Sequence, residues 1–456
     1  MTEAELRISS PILMAQEFPP LTALDHDQMR RLVAQEAYTP AGERARQVLI
    51  ERMIMERITV QKSSDPHILH IPTSRDRYNL IVTRGNPDAP YHVLVPAHID
   101  SVEPTAEPEK MLELKTDDSA HRWSGLSVYD MGEAALNNIA LAAEVDPPEG
   151  MCVHFAFTVD EEDHSDGAQS LTDTWEFWHK VQLVLSSEIG PLPEHAATYQ
   201  NDPSMRLIIG RKGRLKIRGS INIPRSAQGH GALRNLPNAS NAFVTLETTL
   251  WKRFHRPRTY EGREYPPLMC SHPILGDERY SLGPIQTNQP QGYMGTSKAE
   301  WDAYVDLVPP STAREKLCSM QEAAQHLTGR KHWTRYQINH ALVMHPEETS
   351  YDPFCMPENH PAVRLACDAL NRFSGTSTIV CGGDSVADEN LYAAALRKNG
   401  SEWYREGRPV GVLSIPIIGD CAHHPDEWVC FRDVARVREV LRQLLTAPHG
   451  FVALSC

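Results

Sequence analysis

The chain has 456 residues, which is long for one domain and suits two or three, so a sizeable hydrophobic core is possible. Its formal net charge of −14 argues against nucleic acid or an anionic membrane surface as the main partner. No apolar run approaches the roughly 20 residues that a membrane span needs, so we expect no membrane partner.

The N-terminus and the cysteines favour a cytoplasmic protein. The opening stretch MTEAELRISSPILMAQEF carries acidic residues early and lacks the basic and apolar regions of a secretory signal. Nine cysteines are scattered along the chain without a C-x-x-C pair, as is typical of reduced thiols. We therefore expect neither cysteine-ligated zinc nor a disulfide scaffold.

The first 200 residues predict alternating helices and strands. TALDHDQMRRLVAQEA and TPAGERARQVLIERMIMERI have helical apolar spacing, with Asp25 and Thr39-Pro40 as start signals. Strands follow at about 78–84 and 91–97, then a helix in DMGEAALNNIALAAEV and buried strands in MCVHFAFTV and VQLVLSSE. Such alternation predicts an α/β architecture with a mostly parallel sheet.

From about residue 206 the pattern changes. RLIIGRKGRLKIRGSINI predicts two strands with one face in water, and its basic residues are typical of a charged edge strand. A helix in NAFVTLETTLWKRF, an extended loop over about 255–300, strands in AYVDLVPP and TRYQINHALVMH, and a helix at about 312–327 between those strands complete this part. HPAVRLACDALNRF, VGVLSIPII and DVARVREVLRQLL then return to the α/β pattern. We expect an α/β domain over 1–205 and 349–456, interrupted by a smaller α+β domain over 206–348.

Potential metal ligands follow five predicted segments of the α/β domain, where sites form beyond the carboxyl ends of the strands. They are His98 and Asp100, Asp130, Glu161 and Glu162, Glu188, and His423 and His424. Imidazole and carboxylate without thiolate suit Zn²⁺, or Mn²⁺ or Co²⁺ in a related role. Two histidines and at least three carboxylates exceed one tetrahedral shell and match two ions that share a carboxylate.

Each residue also has a structural interpretation. H-x-D can be a strand end with a capping Asp, Asp130 can be a helix N-cap, and Glu161 and Glu162 can belong to a solvated acidic loop. Since adjacent side chains at a strand end diverge, Glu162 could instead bind metal while Glu161 acts as general base. The coincidence of five such segments favours the metal site.

The motifs resemble those of the zinc aminoacylase/carboxypeptidase metallopeptidases, which include acetylornithine deacetylase, succinyl-diaminopimelate desuccinylase and glutamate carboxypeptidase. The resemblance covers about 90–450 and rests on PAHIDSVEP, GLSVYDMGEAALNNIALA, FTVDEEDHSDGAQ, SSEIGP and AHHPDEWV. It implies a catalytic domain interrupted by a lid/dimerisation domain.

The resemblance also implies roles for these residues. One ion would bind to His98, Asp130 and Glu188, and a second to Asp130, Glu162 and His423. Asp100 would orient His98, and Glu161 would be the general acid/base. His423 is preferred to His424 because the family spacing H-x-x-[ND]-E runs from His423 to Glu427.

Further residues match the family outside the metal site. His230 and Asn241 match a lid histidine and an asparagine near a helix start. In the family the histidine often reaches the partner subunit's active site and stabilises the oxyanion there, which implies a homodimer. A loop histidine beside glycine is the structural alternative for His230. GGDSVADENLY resembles a glycine-rich loop near the substrate that carries Asp388, although a helix-capping turn explains it equally well.

One departure concerns the substrate. Many family members have D-x-R on a lid strand, where the Arg holds the substrate carboxylate, whereas YVDLVPP places Val308 there. Either Arg234 or another basic residue takes over, or the substrate is not a standard N-acyl amino acid.

We therefore expect a metal-dependent hydrolase that cleaves an amide-type C–N bond of a small substrate. The first alternative is an aminohydrolase or ureidohydrolase that releases ammonia from a small non-peptide compound at the same site. The second, a non-enzymatic metal-binding protein, is disfavoured because no ligand or base is missing.

Overall fold

The computed structural model describes residues 18–61, 63–73, 77–104, 108–190, 205–224, 238–260, 263–265, 267–287, 297–328, 330–335, 337–397, 403–405 and 408–446. The chain forms two compact units, the first from residues 1–210, 356–383 and 387–456, the second from 211–355 and 384–386. The sequence prediction puts the interruption at 206–348. Among the described residues, no helix has the length and apolar character needed to cross a bilayer.

Eleven α-helices lie in the described residues. They are Ala23–Val33, Pro40–Gln61, Pro108–Met111, Glu133–Glu144, Asp166–Thr174, Ala239–His255, Ala313–Thr328, Lys331–Arg335, Pro361–Ser374, Asp388–Arg397 and Phe431–Thr446. A π-turn at Val128–Gly132 and a 3₁₀ turn at Trp178–Lys180 add to them.

The first unit is built on a large mixed sheet. The strands that this unit contributes run in the order His67–Pro72, Tyr78–Gly85, Met151–Thr158, Tyr91–His98, Val181–Ser186, Gly411–Ser414 and Arg206–Arg211, with Ile379–Gly383 beside the last. The central four are mutually parallel, and antiparallel strands flank them on both sides. The predicted α/β class is confirmed, and the sheet is parallel only at its centre.

The central strands are mostly apolar and are buried along their whole length. Every residue of Tyr91–His98, Met151–Thr158 and Val181–Ser186 is buried. Such strands need cover on both faces, which is characteristic of parallel sheets between helices. Because parallel strands end at the same edge, the residues that follow these strands lie together.

A small second sheet joins distant parts of the first unit. Its strands run in the order Gly419–Asp420, Trp428–Cys430, Arg122–Ser124 and Lys115–Asp117. Trp428–Cys430 pairs antiparallel with Arg122–Ser124, and Trp123 is fully buried. This pairing brings the segment after residue 419 next to the turn at 125–132.

The first helix begins one residue after Thr22 and is tied to two other helices. Thr22 is the N-cap, and Asp25 completes a capping box at the third helical position, so the predicted start signal acts from inside the helix. Asp25 is 1% exposed, and its Oδ1 accepts hydrogen bonds from Arg57 at 2.5 Å and Arg438 at 2.7 Å. Burial opposes ionisation of Asp25, but Arg438, Arg57 and Thr22 outweigh it and hold its pKa well below the ordinary value.

The second unit packs helices on one face of a four-stranded antiparallel sheet. The strands run in the order Arg279–Thr287, Lys298–Leu307, Gly213–Asn222 and Asn339–Met344, and Ala239–His255 and Ala313–Thr328 supply helical core residues. Gly219 lies opposite Trp301, where a Cβ would come within 2.2 Å of the indole ring. Glycine is therefore needed at this position for the close approach.

The basic strand is central rather than at an edge. Gly213–Asn222 alternates buried and partly exposed residues, as predicted for a sheet with one wet face. Its basic side chains pair across the sheet, Arg214 with Asp306 at 3.3 Å and Arg218 with Asp302 at 3.3 Å. Cross-strand ion pairing, and not protection of an open edge, accounts for the charge pattern.

The prediction of an extended loop over about 255–300 is wrong for the described part of that segment. Besides short strands at Arg258–Tyr260, Arg263–Tyr265, Ser271–His272 and Gly276–Asp277, it contains the sheet strand Arg279–Thr287. That strand lies at the sheet edge, is mostly exposed, and shifts register between Leu282 and Ile285. Since neither face is fully buried, the sequence lacks the alternation by which strands are recognised.

We predict that Asp25→Asn lowers the free energy of unfolding by about 3–5 kcal/mol, because the buried guanidinium of Arg57 and the partly buried one of Arg438 lose their anionic partner. The lowered pKa means that this stabilisation is present above the unfolded-state pKa of about 3.9 and is lost as the pH falls toward the folded-state value. Urea unfolding of the wild type and of Asp25→Asn between pH 7 and pH 3 measures this stabilisation. The difference in the free energy of unfolding between the two proteins should become smaller as the pH falls.

The matched control is Asp27→Asn on the same helix, where the carboxylate is half exposed and pairs with arginines at 3.5 Å or more. Its effect should stay within about 0.5 kcal/mol. Equal effects of the two substitutions would contradict the role of the buried network.

Candidate metal centre

The parallel strands Tyr91–His98 and Val181–Ser186 bring acidic and imidazole side chains to one sheet edge. His98 is the last residue of its strand, Asp100 follows two residues later, and Glu188 lies two residues beyond Val181–Ser186. All three are at most 5% exposed. His98 Nδ1 faces Asp100 Oδ1 at 3.4 Å, which is the orientation expected for a carboxylate that holds the ring.

Asp130 lies in a distorted turn and is not a helix N-cap. Its backbone has φ −86° and ψ 79°, and Met131 next to it is left-handed at φ 66°. The helix Glu133–Glu144 starts only after this kink. The distortion turns the Asp130 carboxylate toward two histidines instead of toward the helix N–H groups.

The loop after Met151–Thr158 places two glutamates beside Asp100. Asp160 is left-handed at φ 64°, and the Glu162 N–H donates to Asp100 Oδ2 at 3.0 Å. Arg77 forms an ion pair with Asp160. Asp160, Glu161 and Glu162 are therefore folded into the site, and Asp163 is the exposed member of the acidic run.

His423 lies in the segment between the strands Gly419–Asp420 and Trp428–Cys430 of the small sheet. It is left-handed at φ 67°, and its side chain is 47% exposed. His424 is more exposed and faces Asp426 at 3.5 Å. Of the two histidines, His423 is the one that reaches Asp130.

These side chains form two groups of potential ligands with Asp130 in common. Within each group the ligand atoms lie within 4.8 Å of one another: His98, Asp130 and Glu188 form the first, and Asp130, Glu162 and His423 the second. One Asp130 oxygen lies 3.1 Å from His98 Nε2 and the other 2.5 Å from His423 Nε2. Glu162 Oε1 lies 3.1 Å from His423 Nε2.

Two carboxyl groups lie beside these groups without belonging to either. Glu161 precedes the ligand candidate Glu162, and Asp388 begins the helix Asp388–Arg397, where Thr158 Oγ1 donates to its Oδ2 at 3.4 Å. Burial raises the pKa of Glu161, and Asp388, Glu162 and Glu188 add to the rise while His98 opposes it. Burial likewise raises the pKa of Asp388 to about 7.

The donor set fits divalent metal ions. Three carboxylates and two imidazoles meet at short distances, and oxygen and nitrogen donors without thiolate suit zinc and related ions. Burial, with help from Asp130, raises the pKa of Glu162 to about 7. A bound cation is the usual means of keeping such a concentration of carboxylates ionised.

Sequence reasoning missed Arg46, a residue of the second helix. Its guanidinium is 3% exposed and donates to the Ile99 carbonyl at 2.8 Å, to Ser127 Oγ at 3.3 Å and to the Leu32 carbonyl at 2.9 Å. Arg46 thereby links the first two helices to the loop between His98 and Asp100 and to the turn before Asp130. A basic residue on a helix is normally expected to be exposed, so the sequence carries no signal for this role.

Two other clusters of potential ligands have structural explanations. His92, Cys152 and His154 are buried, and their imidazoles form a chain in which His92 bonds the Ala89 carbonyl and His154, and His154 bonds Thr83, each at 2.9 Å. Asp160, Asp163 and His164 form the second cluster, in which Asp160 already pairs with Arg77.

The remaining predicted site residues belong to the second unit or are not described. Asn241 is exposed in the first turn of Ala239–His255, whose N-cap is Asn238. His230 and Arg234 lie outside the described residues. Val308 is fully buried, so it offers no surface to a ligand.

Comparison with known proteins agrees with this architecture. The sequence profile of the peptidase family M20/M25/M40 matches residues 94–447. No match is found among curated protein sequences.

Several solved structures share the fold. A tripeptidase from Staphylococcus aureus subsp. aureus Mu50 aligns over 94% of this chain and 98% of its own, with a TM-score of 0.65 and 10% identity. A dinuclear metal-binding M20 peptidase from Bacillus subtilis aligns over 93% and 99%, with a TM-score of 0.58 and 13% identity. The protein AtUAH, in complex with glyoxylate, aligns over 97% and 99%, with a TM-score of 0.57 and 11% identity.

Fold and site together define a hydrolase that acts on carbon–nitrogen bonds. The chain belongs to the peptidase family M20/M25/M40. The resemblance found in the sequence motifs is thereby confirmed.

Proposed function

We propose that the protein is a two-metal hydrolase that cleaves an amide-type C–N bond of a small substrate. The observation that carries the proposal is the pair of ligand groups that share Asp130. A shared carboxylate is the usual arrangement for two ions about 3.5–4 Å apart.

The first ion would be held by His98, Asp130 and Glu188, and the second by Asp130, Glu162 and His423. Asp100 orients the His98 ring and fixes which nitrogen is free to bind. We propose Zn²⁺ on the basis of the nitrogen and oxygen donors, with Mn²⁺ or Co²⁺ able to take the same role. Elemental analysis of protein purified without chelators identifies the ion.

Glu161 is the proposed general base. When bound, the ions polarise the scissile carbonyl and acidify water. Glu161 is free to take the proton from the attacking water because Glu162, and not Glu161, belongs to a ligand group. The same carboxyl then gives the proton to the leaving amine, as general acid/base catalysis requires.

Asp388 is a proposed substrate-binding residue, since it is buried and its charge helps to raise the pKa of Glu161. The proposed contributions of His230 as an oxyanion donor, and of Asn241 and Arg234 to substrate binding, rest on the motif resemblance alone. The same resemblance supports a homodimer formed through the second unit. Light scattering on the purified protein measures the oligomeric state.

We also propose a cytoplasmic location. The support is chemical: the eight cysteines in the described part of the chain are all free thiols. Disulfides are rare where thiols are kept reduced.

We predict that Glu161→Gln lowers kcat at least 10²-fold while metal content stays near wild type, since the amide cannot accept the proton of the water. Metal content is measured by elemental analysis and kcat on any amide substrate that the wild type turns over. Full activity in this variant would remove Glu161 from the role of base.

The matched control is Glu162→Gln at the neighbouring position. It removes a proposed ligand, so metal content should fall together with activity. The opposite pattern, with Glu162→Gln retaining both ions and Glu161→Gln losing one, would exchange the two roles.

One observation favours the alternative of an aminohydrolase or ureidohydrolase. Val308 stands where the motif resemblance expects the arginine that holds a substrate carboxylate, and it is fully buried. A buried aliphatic side chain cannot replace an Arg–carboxylate fork. AtUAH, which shares the fold, was crystallised with glyoxylate, a small non-peptide compound.

A substrate panel separates the two reactions. Dipeptides, tripeptides and N-acyl amino acids are assayed for release of amino acids, and small amides and ureido compounds for release of ammonia. If the proposed function is right, the protein hydrolyses at least one of the peptides or N-acyl amino acids and releases an amino acid. Ammonia release without any release of amino acids would establish the alternative.

A further inference from the structure

The two segments that carry Asp130 and His423 are far apart in sequence, yet their side chains lie 2.5 Å apart. The small sheet brings the segments together, because Trp428–Cys430 pairs with Arg122–Ser124. Strand pairing alone leaves the turns beyond the strand ends free to vary. Something must hold these turns in register at the metal centre.

Glu427, the residue before Trp428, contacts both turns with one carboxylate. Its Oε1 accepts the backbone N–H of Tyr129 at 2.8 Å and of Asp130 at 3.0 Å. Its Oε2 accepts the backbone N–H of His423 at 3.3 Å. Glu427 therefore binds the main chain of two proposed ligands, one on each turn.

The backbone of Glu427 is anchored to the same two segments. Its carbonyl accepts the N–H of Gly125 at 3.1 Å, and its own N–H donates to the His424 carbonyl at 2.9 Å. The residue is 0% exposed. Side chain and main chain together leave Glu427 little freedom to move relative to either turn.

Both turns contain backbone that needs such support. Met131 at φ 66° and His423 at φ 67° are non-glycine residues in the left-handed region. Conformations of this kind are unfavourable for residues with a Cβ and persist where surrounding contacts determine them. The Glu427 carboxylate supplies such contacts at Asp130, next to Met131, and at His423 itself.

From these contacts we infer that Glu427 is a positioning residue that sets the separation of Asp130 and His423 and so shapes the second ion site. This inference rests on the proposed two-metal function. It concerns hydrogen bonds to main-chain N–H groups, and Glu427 itself touches neither ion nor substrate.

The chemistry of the side chain makes the inference testable. Both carboxylate oxygens accept hydrogen bonds, whereas glutamine has one acceptor oxygen and one NH₂ donor. In Glu427→Gln, whichever way the amide lies, the NH₂ group faces a backbone N–H of one turn. The substitution keeps the size of the side chain and removes the simultaneous hold on both turns.

The experiment titrates metal-free protein with Co²⁺ and follows the visible absorption of the bound ion, which reports affinity and coordination geometry. Wild type should bind two ions. In Glu427→Gln the second ion should bind about 10- to 100-fold more weakly, with an altered spectrum, as is typical for loss of an outer-shell partner. Two ions with wild-type affinities and spectra in this variant would overturn the inference.

Asp25→Asn controls for a loss of stability alone, because Asp25 is buried in the same unit and its side chain hydrogen-bonds to Thr22, Arg57 and Arg438, which lie in neither turn. It should lower the free energy of unfolding and leave both Co²⁺ affinities unchanged. Equal weakening of cobalt binding in both variants would reduce Glu427 to a general stability role and overturn the inference.

If Glu427→Gln is not recovered folded, Glu427→Asp takes its place. It keeps the charge but is one methylene shorter, so it cannot reach both turns, and the same loss of the second ion is expected. Wild-type binding in Glu427→Asp contradicts the inference. Failure of the wild type itself to bind two ions contradicts the proposed function instead, so the two failures are distinguishable.

Discussion

The concentration of carboxylates at the carboxyl edge of the central parallel strands is the constraint on which the rest of the first unit depends. Asp100, Asp130 and Glu188 are buried there beside a single buried histidine, His98. Buried charge of one sign is unfavourable unless cations or hydrogen bonds compensate for it. The surrounding structure can be understood as the set of groups that keep this arrangement in place.

Backbone geometry is one of the features that keep this arrangement in place. Left-handed conformations at Met131, Asp160 and His423 occur on three separate loops that all end at the site. Such conformations cluster where geometry is held for function. Met131 lies one residue and Asp160 two residues from a proposed ligand, and His423 is itself one, so the strain serves to aim these side chains.

Residues outside the match to the family profile also keep this arrangement in place. That match begins at residue 94, yet Arg46, on the second helix, donates to Ile99 and Ser127 beside the site. Asp25 joins the first two helices to the C-terminal helix through Arg57 and Arg438. The N-terminal helices are therefore a structural part of the first unit, and buried arginines carry the connection.

The sequence by itself determined the order and type of most elements and the residue types of the site. Apolar runs such as that of Tyr91–His98 and the helical periodicity of the N-terminus carry enough local signal to identify strands and helices. The strand ends likewise identified His98, Asp130, Glu162, Glu188 and His423 as candidates, since imidazoles and carboxylates after buried strands are chemically distinctive. Only the tertiary structure decided that Asp130 leaves the helix start, that Arg279–Thr287 is an edge strand, and that Arg46 and Glu427 lie beneath the site. These features depend on partners tens to hundreds of residues away, whose hydrogen bonds and burial leave no periodic trace in the chain.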